Sequence, residues 1–189
     1  MKPYDLIVIG AGAAGLMCAI TAAKRGRRVL VLERSNKIGK KILMSGGGRC
    51  NFTNMHISPD RFVSANPHFC RSALSRYTQW DFIAMVERYK IDYEERKHSQ
   101  LFCKNSAKEI LNMLLDDCQM AGVEIKTHIE INNVDALTLA PHSDKHQTET
   151  RRNRYQINFS QDHDNRQIRC HSLVVATGAL SIPTLGGSG

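Results

Sequence analysis

The sequence contains no long hydrophobic run. No apolar stretch among its 189 residues approaches the ~20 residues needed to span a membrane. The run Leu6-Ile7-Val8-Ile9 is too short for the core of a signal peptide, and Lys2 alone makes a poor basic region before it. We therefore expect no membrane partner and a cytoplasmic location.

Closely spaced cysteine pairs are also absent. No C-x-x-C pattern occurs, and the six cysteines are widely and irregularly spaced: Cys18, Cys50, Cys70, Cys103, Cys118 and Cys170. This spacing favours free thiols over a disulfide framework. His142 and His146 have a metal-binding spacing only if they lie on a helix, and the polar surroundings of Pro141 favour a loop instead. We expect no metal site.

Aromatic residues are scarce where the positive charge is concentrated. The net charge is +8, and much of it lies between residues 24 and 41 and between 151 and 169. A basic surface of this kind binds nucleic acid in some proteins. The first cluster contains no aromatic residue and the second contains only Tyr155 and Phe159, so no platform for stacking bases is evident, and a solvated surface is the preferred interpretation. Nucleic acid is not an expected partner, although RNA contact is kept as an alternative.

The N-terminal segment from Leu6 to Glu33 carries the strongest pattern. An apolar run ends at Ile9, a helical pattern covers Ala13 to Lys24, and a second apolar run covers Val29 to Leu32. Three glycines spaced G-x-G-x-x-G stand between the first run and the helix, at positions 10, 12 and 15. Strand, glycine turn, helix and strand in this order are typical of a βαβ unit that binds a dinucleotide.

Each residue of this motif has a physical role. Gly10 permits the tight turn, Gly12 leaves room for a pyrophosphate beside the backbone, and Gly15 lets the helix pack closely on the sheet. Free N–H groups at the helix start hold the anionic diphosphate. Glu33 ends the second strand, where its carboxylate is placed to accept hydrogen bonds from ribose hydroxyls.

A second glycine tract occurs at Gly46-Gly47-Gly48. Three consecutive glycines cost chain entropy unless another group must come close to the backbone. Ser45 precedes the tract, and Arg49, Cys50 and Asn51 follow it, which indicates a second ligand cradle. The alternative is a flexible linker.

The remaining elements predict an α/β fold. Helical patterns cover residues 69–77, 81–89 and 107–121, and strand patterns cover 123–126, 129–134, 155–159 and 167–171. A last buried strand, Leu173 to Ala176, runs into Thr177-Gly178. We predict a Rossmann-like domain with a parallel sheet flanked by helices and a small antiparallel β-meander.

These segments together resemble flavoproteins with two dinucleotide-binding domains, and most of all the aminoacetone-oxidase-like or BaiN-like NAD(P)/FAD-dependent oxidoreductases. The most specific feature is the string from Ile42 to Asn54, supported by Gln100 to Cys103, Ser106 to Lys108 and Leu180 to Thr184. The resemblance implies non-covalent FAD. It also implies that the following residues bind it: Gly10, Gly12, Ala13, Ala14, Gly15, Glu33, Arg34, Lys40, Lys41, Ser45, Gly46, Gly47, Gly48, Arg49, Cys50, Asn51, Ile131, Ala176, Thr177 and Gly178.

The resemblance also implies which part of FAD each group meets. The first glycine motif and Ala176 to Gly178 lie near the diphosphate, and Glu33 and the backbone of Ile131 meet the adenosine. Arg34, Lys40 and Lys41 lie near the adenosine or phosphate end, and residues 45–51 line the ribityl chain and the flavin ring. No catalytic acid or base is identified, although Cys50 and His98 are candidates.

Members of this group are longer than 189 residues. We expect residues 1–189 to be the N-terminal portion of an FAD-binding domain that lacks the substrate domain and the last flavin-contacting segment. Such a chain is expected to bind FAD poorly, to self-associate and to have no turnover of its own. Three functions stay open: an oxidoreductase acting on a small organic substrate with NAD(P)H as candidate electron donor, a truncated non-catalytic nucleotide-binding module, and a flavoprotein that contacts RNA.

Overall fold

The computed structural model describes residues 3–137, 153–162 and 164–178. The β-strands in these residues are, in chain order from β1 to β9, Tyr4–Ile9, Val29–Leu32, Asn51–Asn54, Tyr93–Glu95, Gln100–Cys103, Glu124–Lys126, Glu130–Ala136, Tyr155–Gln161 and Asp164–Val175. The α-helices, from α1 to α5, are Ala13–Lys24, Lys40–Met44, Arg71–Arg76, Gln79–Arg88 and Ala107–Met120. His142, His146 and the motif residues 180–184 lie outside the described residues.

The chain divides into two compact units. The first unit comprises the described residues within Met1–Lys40 and Leu114–Gly189, and the second comprises Lys41–Met113. Each unit contains its own sheet, six-stranded in the first and three-stranded in the second.

The sheet of the first unit has the strand order β6-β2-β1-β9-β8-β7. The strands β6, β2, β1 and β9 run parallel to one another, whereas β9, β8 and β7 pair antiparallel. This arrangement confirms the predicted fold class: a Rossmann-like sheet extended by an antiparallel meander.

The strand β9 differs from the prediction, because one 12-residue strand replaces the two short strands expected at 167–171 and 173–176. Its first part pairs antiparallel with β8, and its second part pairs parallel with β1. Cys170 lies opposite both Tyr155 and Tyr4, so the two pairings meet at that residue. The polar pair His171-Ser172 reads as a break in the sequence, yet the backbone continues because each edge of β9 has a partner strand.

The βαβ unit follows its predicted pattern closely. Helix α1 has the predicted bounds and buries Gly15, Leu16, Ala19, Ile20 and Ala23, an apolar stripe with helical spacing. All four residues of β2 are buried, as expected for an inner strand of a parallel sheet. Strand β1 starts two residues before the predicted run, at Tyr4.

Strand β1 begins early because Tyr4 contacts residues that are distant in the sequence. The hydroxyl of Tyr4 donates to the carboxylate of Glu124 in β6, and the guanidinium of Arg28 lies 4.1 Å from the centre of the Tyr4 ring. Burial, together with the hydrogen bond to Glu124, raises the pKa of the Tyr4 phenol to about 12. These contacts tie the amino end of β1 to the strand on the other side of β2.

The second unit contains the antiparallel sheet β3-β5-β4. Helix α4 begins two residues before the predicted helical pattern, at a capping box in which the side chains of Thr78 and Asp81 each accept a hydrogen bond from the other residue's backbone N–H. Strand β3 was not predicted. It directly follows the second glycine tract and pairs with β5.

Two predicted absences concern the whole fold. No helix in the described part of the chain is long and apolar enough to cross a membrane. All six cysteines are free thiols, which confirms the prediction that no disulfide framework exists.

Candidate functional site

The carboxyl ends of the parallel strands meet at one edge of the first unit. The N–H of Gly10 donates to the carbonyl of Leu32 at 2.8 Å, and the N–H of Ala176 donates to the carbonyl of Ile9 at 2.8 Å. Backbone hydrogen bonds therefore connect the carboxyl ends of β1, β2 and β9. In open α/β sheets, ligands bind outside the carboxyl ends of the strands, where the strand order changes direction. Here that change occurs at β1, which lies between β2 and β9.

Two glycines of the first motif are required by the protein itself. A Cβ on Gly10, whose φ is +105°, would lie 2.5 Å from the carbonyl oxygen of Ala176. A Cβ on Gly15 would lie 1.9 Å from the carbonyl oxygen of Gly10. The backbone of Ala176 thus approaches Gly10 closely, and Gly15 lets α1 start directly against Gly10.

We expect Gly15→Ala to lower the free energy of unfolding by about 1–3 kcal/mol, because a methyl group would be forced into a backbone carbonyl. Denaturant unfolding followed by circular dichroism measures this. Ala22→Gly, a change of the same size at a half-buried position of the same helix, is the control and should cost roughly 1 kcal/mol through backbone entropy alone. Unchanged stability of Gly15→Ala would contradict the close contact.

Gly12 is different, because a Cβ added there would have no atom of the described residues within 4 Å, apart from its chain neighbours and the backbone of its own helix. Its φ of −84° and ψ of −176° are accessible to any residue. The exposed Ala13 and Ala14 follow it, and the first turn of α1 contains no acidic residue. The helix therefore begins with open backbone and a positive dipole end, which suits a diphosphate.

The carboxylate of Glu33 makes two contacts that the sequence did not predict. One oxygen accepts a hydrogen bond from the N–H of Ala11 at 2.8 Å, and the other accepts from the N–H of Ser35 at 2.8 Å. Glu33 thereby joins the glycine turn after β1 to the loop after β2. Each carboxylate oxygen has a second lone pair, so the group is still able to accept a ribose hydroxyl.

A cleft of about 200 Å³ opens beside Glu33. Its lining combines the ends of strands with the residues that follow them: Ile9, Gly10, Leu32, Glu33, Arg34, Ile129, Glu130, Ile131 and Thr177. Five of these are predicted site residues, drawn from four separate parts of the sequence. Ile129 and Glu130 were missed, because only the return of the chain from β6 into β7 brings them here. The N–H of Ile129 donates to the carbonyl of Glu33 at 3.0 Å and holds that return in place.

We expect Glu33→Ala to weaken FAD binding by ~1–3 kcal/mol, the range of a lost charge-assisted hydrogen bond. Fluorescence titration with FAD measures the affinity. Because the N–H groups of Ala11 and Ser35 also lose their acceptor, the free energy of unfolding should fall by about 1–2 kcal/mol. A variant that is less stable yet binds FAD as tightly as wild type would make Glu33 a purely structural residue.

The second glycine tract also divides into structural and open positions. Gly46 and Gly47 both have left-handed backbone, with φ of 57° and 65°. A Cβ on Gly46 would lie 2.7 Å from the backbone nitrogen of Asn51 and equally close to the Phe102 ring, whereas a Cβ on Gly47 would have no described residue other than its chain neighbours within 4 Å. The N–H of Cys50 donates to the carbonyl of Ser45 at 3.0 Å and closes this turn. Gly46 is required by packing, and Gly47 is the position open to a ligand.

Polar side chains around this tract form hydrogen bonds within the protein. The Arg49 guanidinium donates to the Lys104 carbonyl at 2.8 Å. Burial raises the pKa of the Cys50 thiol, and a hydrogen bond with the Ser45 side chain partly offsets this increase. Burial also raises the pKa of the Cys103 thiol, to about 12. Both thiols are therefore protonated at neutral pH, and neither is a ready nucleophile. The other catalytic candidate, His98, is exposed, and its carbonyl accepts a hydrogen bond from Asn54.

The structure thus groups the predicted site residues within each unit. In the first unit, the glycine motif, Glu33, Arg34, Ile131 and the Ala176–Gly178 turn lie at the carboxyl edge of one sheet. Lys40, also in this unit, is not part of the cleft lining. In the second unit, Lys41 and residues 45–51 lie in α2 and in the turn before β3. The predicted contacts of residues 45–51 with the flavin stay predictions.

The amino-acid sequence is similar to those of several known proteins. The chain is 44% identical over 188 residues to the Escherichia coli protein named ribosomal RNA dihydrouridine synthase, a match that covers 100% of this chain and 42% of that protein. It is 30% identical over 135 residues to the 3-dehydro-bile acid delta(4,6)-reductase of Clostridium scindens, which covers 70% of this chain and 32% of the reductase. The chain spans less than half the length of either relative.

A similar fold occurs in the crystal structure of 3-ketosteroid-delta4-(5alpha)-dehydrogenase from Rhodococcus jostii, with a TM-score of 0.64 and 16% identity. The match covers 94% of this chain and 46% of the dehydrogenase. The model of the HI0933-like protein Rossmann domain matches residues 4–189. That family binds FAD, which agrees with the open helix start at Gly12 and the carboxylate at Glu33. The chain therefore belongs to the HI0933-like protein Rossmann-domain family.

Proposed function

We propose that this chain is the FAD-binding part of an enzyme that reduces uridine in ribosomal RNA to dihydrouridine. The observation that carries the proposal is the 44% identity, along the whole chain, to a protein named ribosomal RNA dihydrouridine synthase. The geometry supports the cofactor half of the proposal through the open glycine turn and the cleft beside Glu33.

The reaction adds two hydrogen atoms across the C5–C6 double bond of uracil, which takes two electrons and two protons. FAD, once reduced, supplies the electrons, and NAD(P)H is the proposed donor that reduces it. In this proposal the backbone from Gly10 to Gly15 holds the diphosphate, and Glu33 orients the adenosine ribose. Residues 45–51 hold the ribityl chain and the flavin ring. This chain contributes binding and orientation, and we assign no proton donor within it.

The test is the dihydrouridine content of ribosomal RNA. Cells that lack the gene are complemented with the whole protein, either as wild type or as Gly12→Val, and their ribosomal RNA is digested and analysed by mass spectrometry. We expect dihydrouridine only with the wild type, because Gly12→Val removes the cofactor. Equal dihydrouridine in deleted and complemented cells would overturn the proposed substrate.

A small organic substrate is the second candidate, and the 30% identity to a bile-acid reductase favours it. The two candidates differ in what oxidises the reduced flavin. In a stopped-flow experiment on the holoenzyme, ribosomal RNA should return the flavin absorbance if RNA is the substrate, and an enone such as a 3-oxo-Δ4 steroid should do so otherwise. A flavin that dithionite reduces and that neither compound reoxidises would support the non-catalytic alternative.

An RNA substrate changes how the positive charge is interpreted. From the sequence alone, a solvated basic surface is the preferred interpretation and nucleic acid is not an expected partner. The name of the relative weighs against that expectation, and it agrees with the predicted cytoplasmic location, which stays a prediction.

A further inference from the structure

One segment of the second unit combines positive charge with exposed aromatic side chains. From Arg61 to Trp80 there is no acidic residue, and the segment contains Arg61, Arg71, Arg76 and His68. Four aromatic residues interleave with these charges: Phe62, Phe69, Tyr77 and Trp80. The segment lies outside the two most basic clusters, residues 24–41 and 151–169.

The segment buries almost none of its surface. Every residue from 61 to 69 is exposed, and α3 has no buried residue. Five of the nine exposed large hydrophobic side chains in the described residues lie here, among them Phe69 at 78% and Trp80 at 54% exposure. Ordering a chain that buries so little costs entropy without the usual return from packing, which indicates that another molecule covers it.

The backbone nevertheless has a defined arrangement. The Cys70 thiol lies 3.8 Å from the carbonyl oxygen of Pro59, so residues 60–69 form a loop whose ends are close together. Within it, the Asn66 side chain accepts from the N–H of His68 at 3.0 Å. After α3, the Gln79 side chain donates to the carbonyl of Met55 at 3.1 Å and fixes the start of α4. The loop and α3 are thus held at both ends.

Charge identifies the kind of partner. Arg71 and Arg76 form no ion pair with any residue that the structure describes, and the Arg61 guanidinium pairs among these residues only with the exposed Asp60, at 3.6 Å. Arginines without acidic neighbours suit a polyanion, and exposed aromatic rings beside them suit unstacked bases. A protein partner would contact the same apolar side chains, but no feature of the segment favours a protein over RNA.

We infer that the segment from Arg61 to Trp80 binds single-stranded RNA, with Arg71 and Arg76 on phosphates and Phe69 stacked on a base. The inference rests on the proposed RNA substrate and adds a surface on the second unit that holds it. It shares no residue with those proposed to bind FAD.

The experiment measures RNA binding by the FAD-loaded protein. The probe is a fluorescent single-stranded RNA of about 20 nucleotides, followed by anisotropy at several salt concentrations. We expect Arg71→Glu/Arg76→Glu to weaken binding at least 10-fold and to reduce the salt slope by about 1.4, which corresponds to two phosphates of a single strand. Phe69→Ala should weaken binding about 5- to 100-fold, the range for one lost stacking contact.

The matched control is Arg25→Glu/Arg27→Glu, which makes the same charge change at two exposed arginines of the first unit, within the cluster predicted to be a solvated surface. It should change affinity less than 3-fold, and all variants should keep the wild-type flavin content.

Equal losses of RNA affinity in both double variants, or wild-type RNA affinity of the segment variants, would overturn the inference and leave the proposed substrate intact. A change in sedimentation without a change in RNA affinity would also overturn it, because the segment would then be a protein contact. Wild-type protein that neither binds RNA nor restores dihydrouridine would refute the proposed function itself.

Discussion

Replacing Gly12 with valine is expected to abolish flavin retention while leaving the domain folded. The protein has open space where the new Cβ would lie, and the backbone angles of Gly12 suit any residue. The valine side chain would instead occupy the space that a diphosphate needs beside the start of α1. Flavin absorbance after purification measures retention, and a circular dichroism melt tests the fold.

The matched control for Gly12→Val is Thr21→Val. Thr21 is exposed on the same helix, and its substitution introduces the same branched side chain far from the glycine turn. It should leave the flavin content unchanged. Gly12→Ala should give an intermediate loss of affinity, because its single methyl intrudes less. If Gly12→Val protein is yellow and binds FAD as wild type does, the diphosphate site is not at this turn.

Replacing Lys24 with methionine is expected to lower the free energy of unfolding by about 3 kcal/mol. Asp117 is the one buried charged residue among those described, with 1% of its surface exposed, and the Lys24 ammonium donates to its carboxylate at 2.6 Å. The lysine is half exposed, so its own desolvation is modest and the cost falls mainly on the carboxylate left behind. Urea unfolding of the two proteins gives the difference.

Two further variants separate charge from packing. Lys108→Met removes an exposed lysine from α5 and should change stability by less than about 0.5 kcal/mol. Lys24→Met/Asp117→Leu should recover most of the loss, because no buried charge then remains. If the double variant is as unstable as Lys24→Met alone, the stem of the lysine stabilises the protein through packing.

The glycine predictions together distinguish ligand binding from folding within one motif. Gly12→Val should change cofactor binding with little effect on stability, whereas Gly15→Ala should change stability first. The sequence pattern gives Gly12 the place beside the diphosphate, and Gly10 and Gly15 roles in the turn and in helix packing. The structure agrees with this division, because a Cβ on Gly10 or Gly15 would meet backbone atoms, whereas a Cβ on Gly12 would meet none of the described residues.

The sequence by itself determined the βαβ unit, since its signals are local: periodic apolar residues, a glycine spacing and an acid at the end of the second strand. Helix α1 and β2 have the predicted bounds for this reason. The capping box before α4 was likewise predictable, because it involves residues three positions apart. The membership of Glu33 and Ile131 in one cleft followed from resemblance to a family.

Only the tertiary structure decided the features that depend on distant pairing. The sequence alone suggests that Asp117 is a surface residue of α5. In the folded chain it is buried and accepts a hydrogen bond from Lys24, 93 positions away. Gly10 is required because Ala176 returns beside it, and β9 is continuous because β8 and β1 hydrogen-bond to its two parts. The exposure of the segment from Arg61 to Trp80 was equally invisible, because aromatic residues are usually buried and only the folded chain shows which are not. Local patterns specify backbone conformation, but what a side chain contacts is set by which strands the rest of the chain brings next to it.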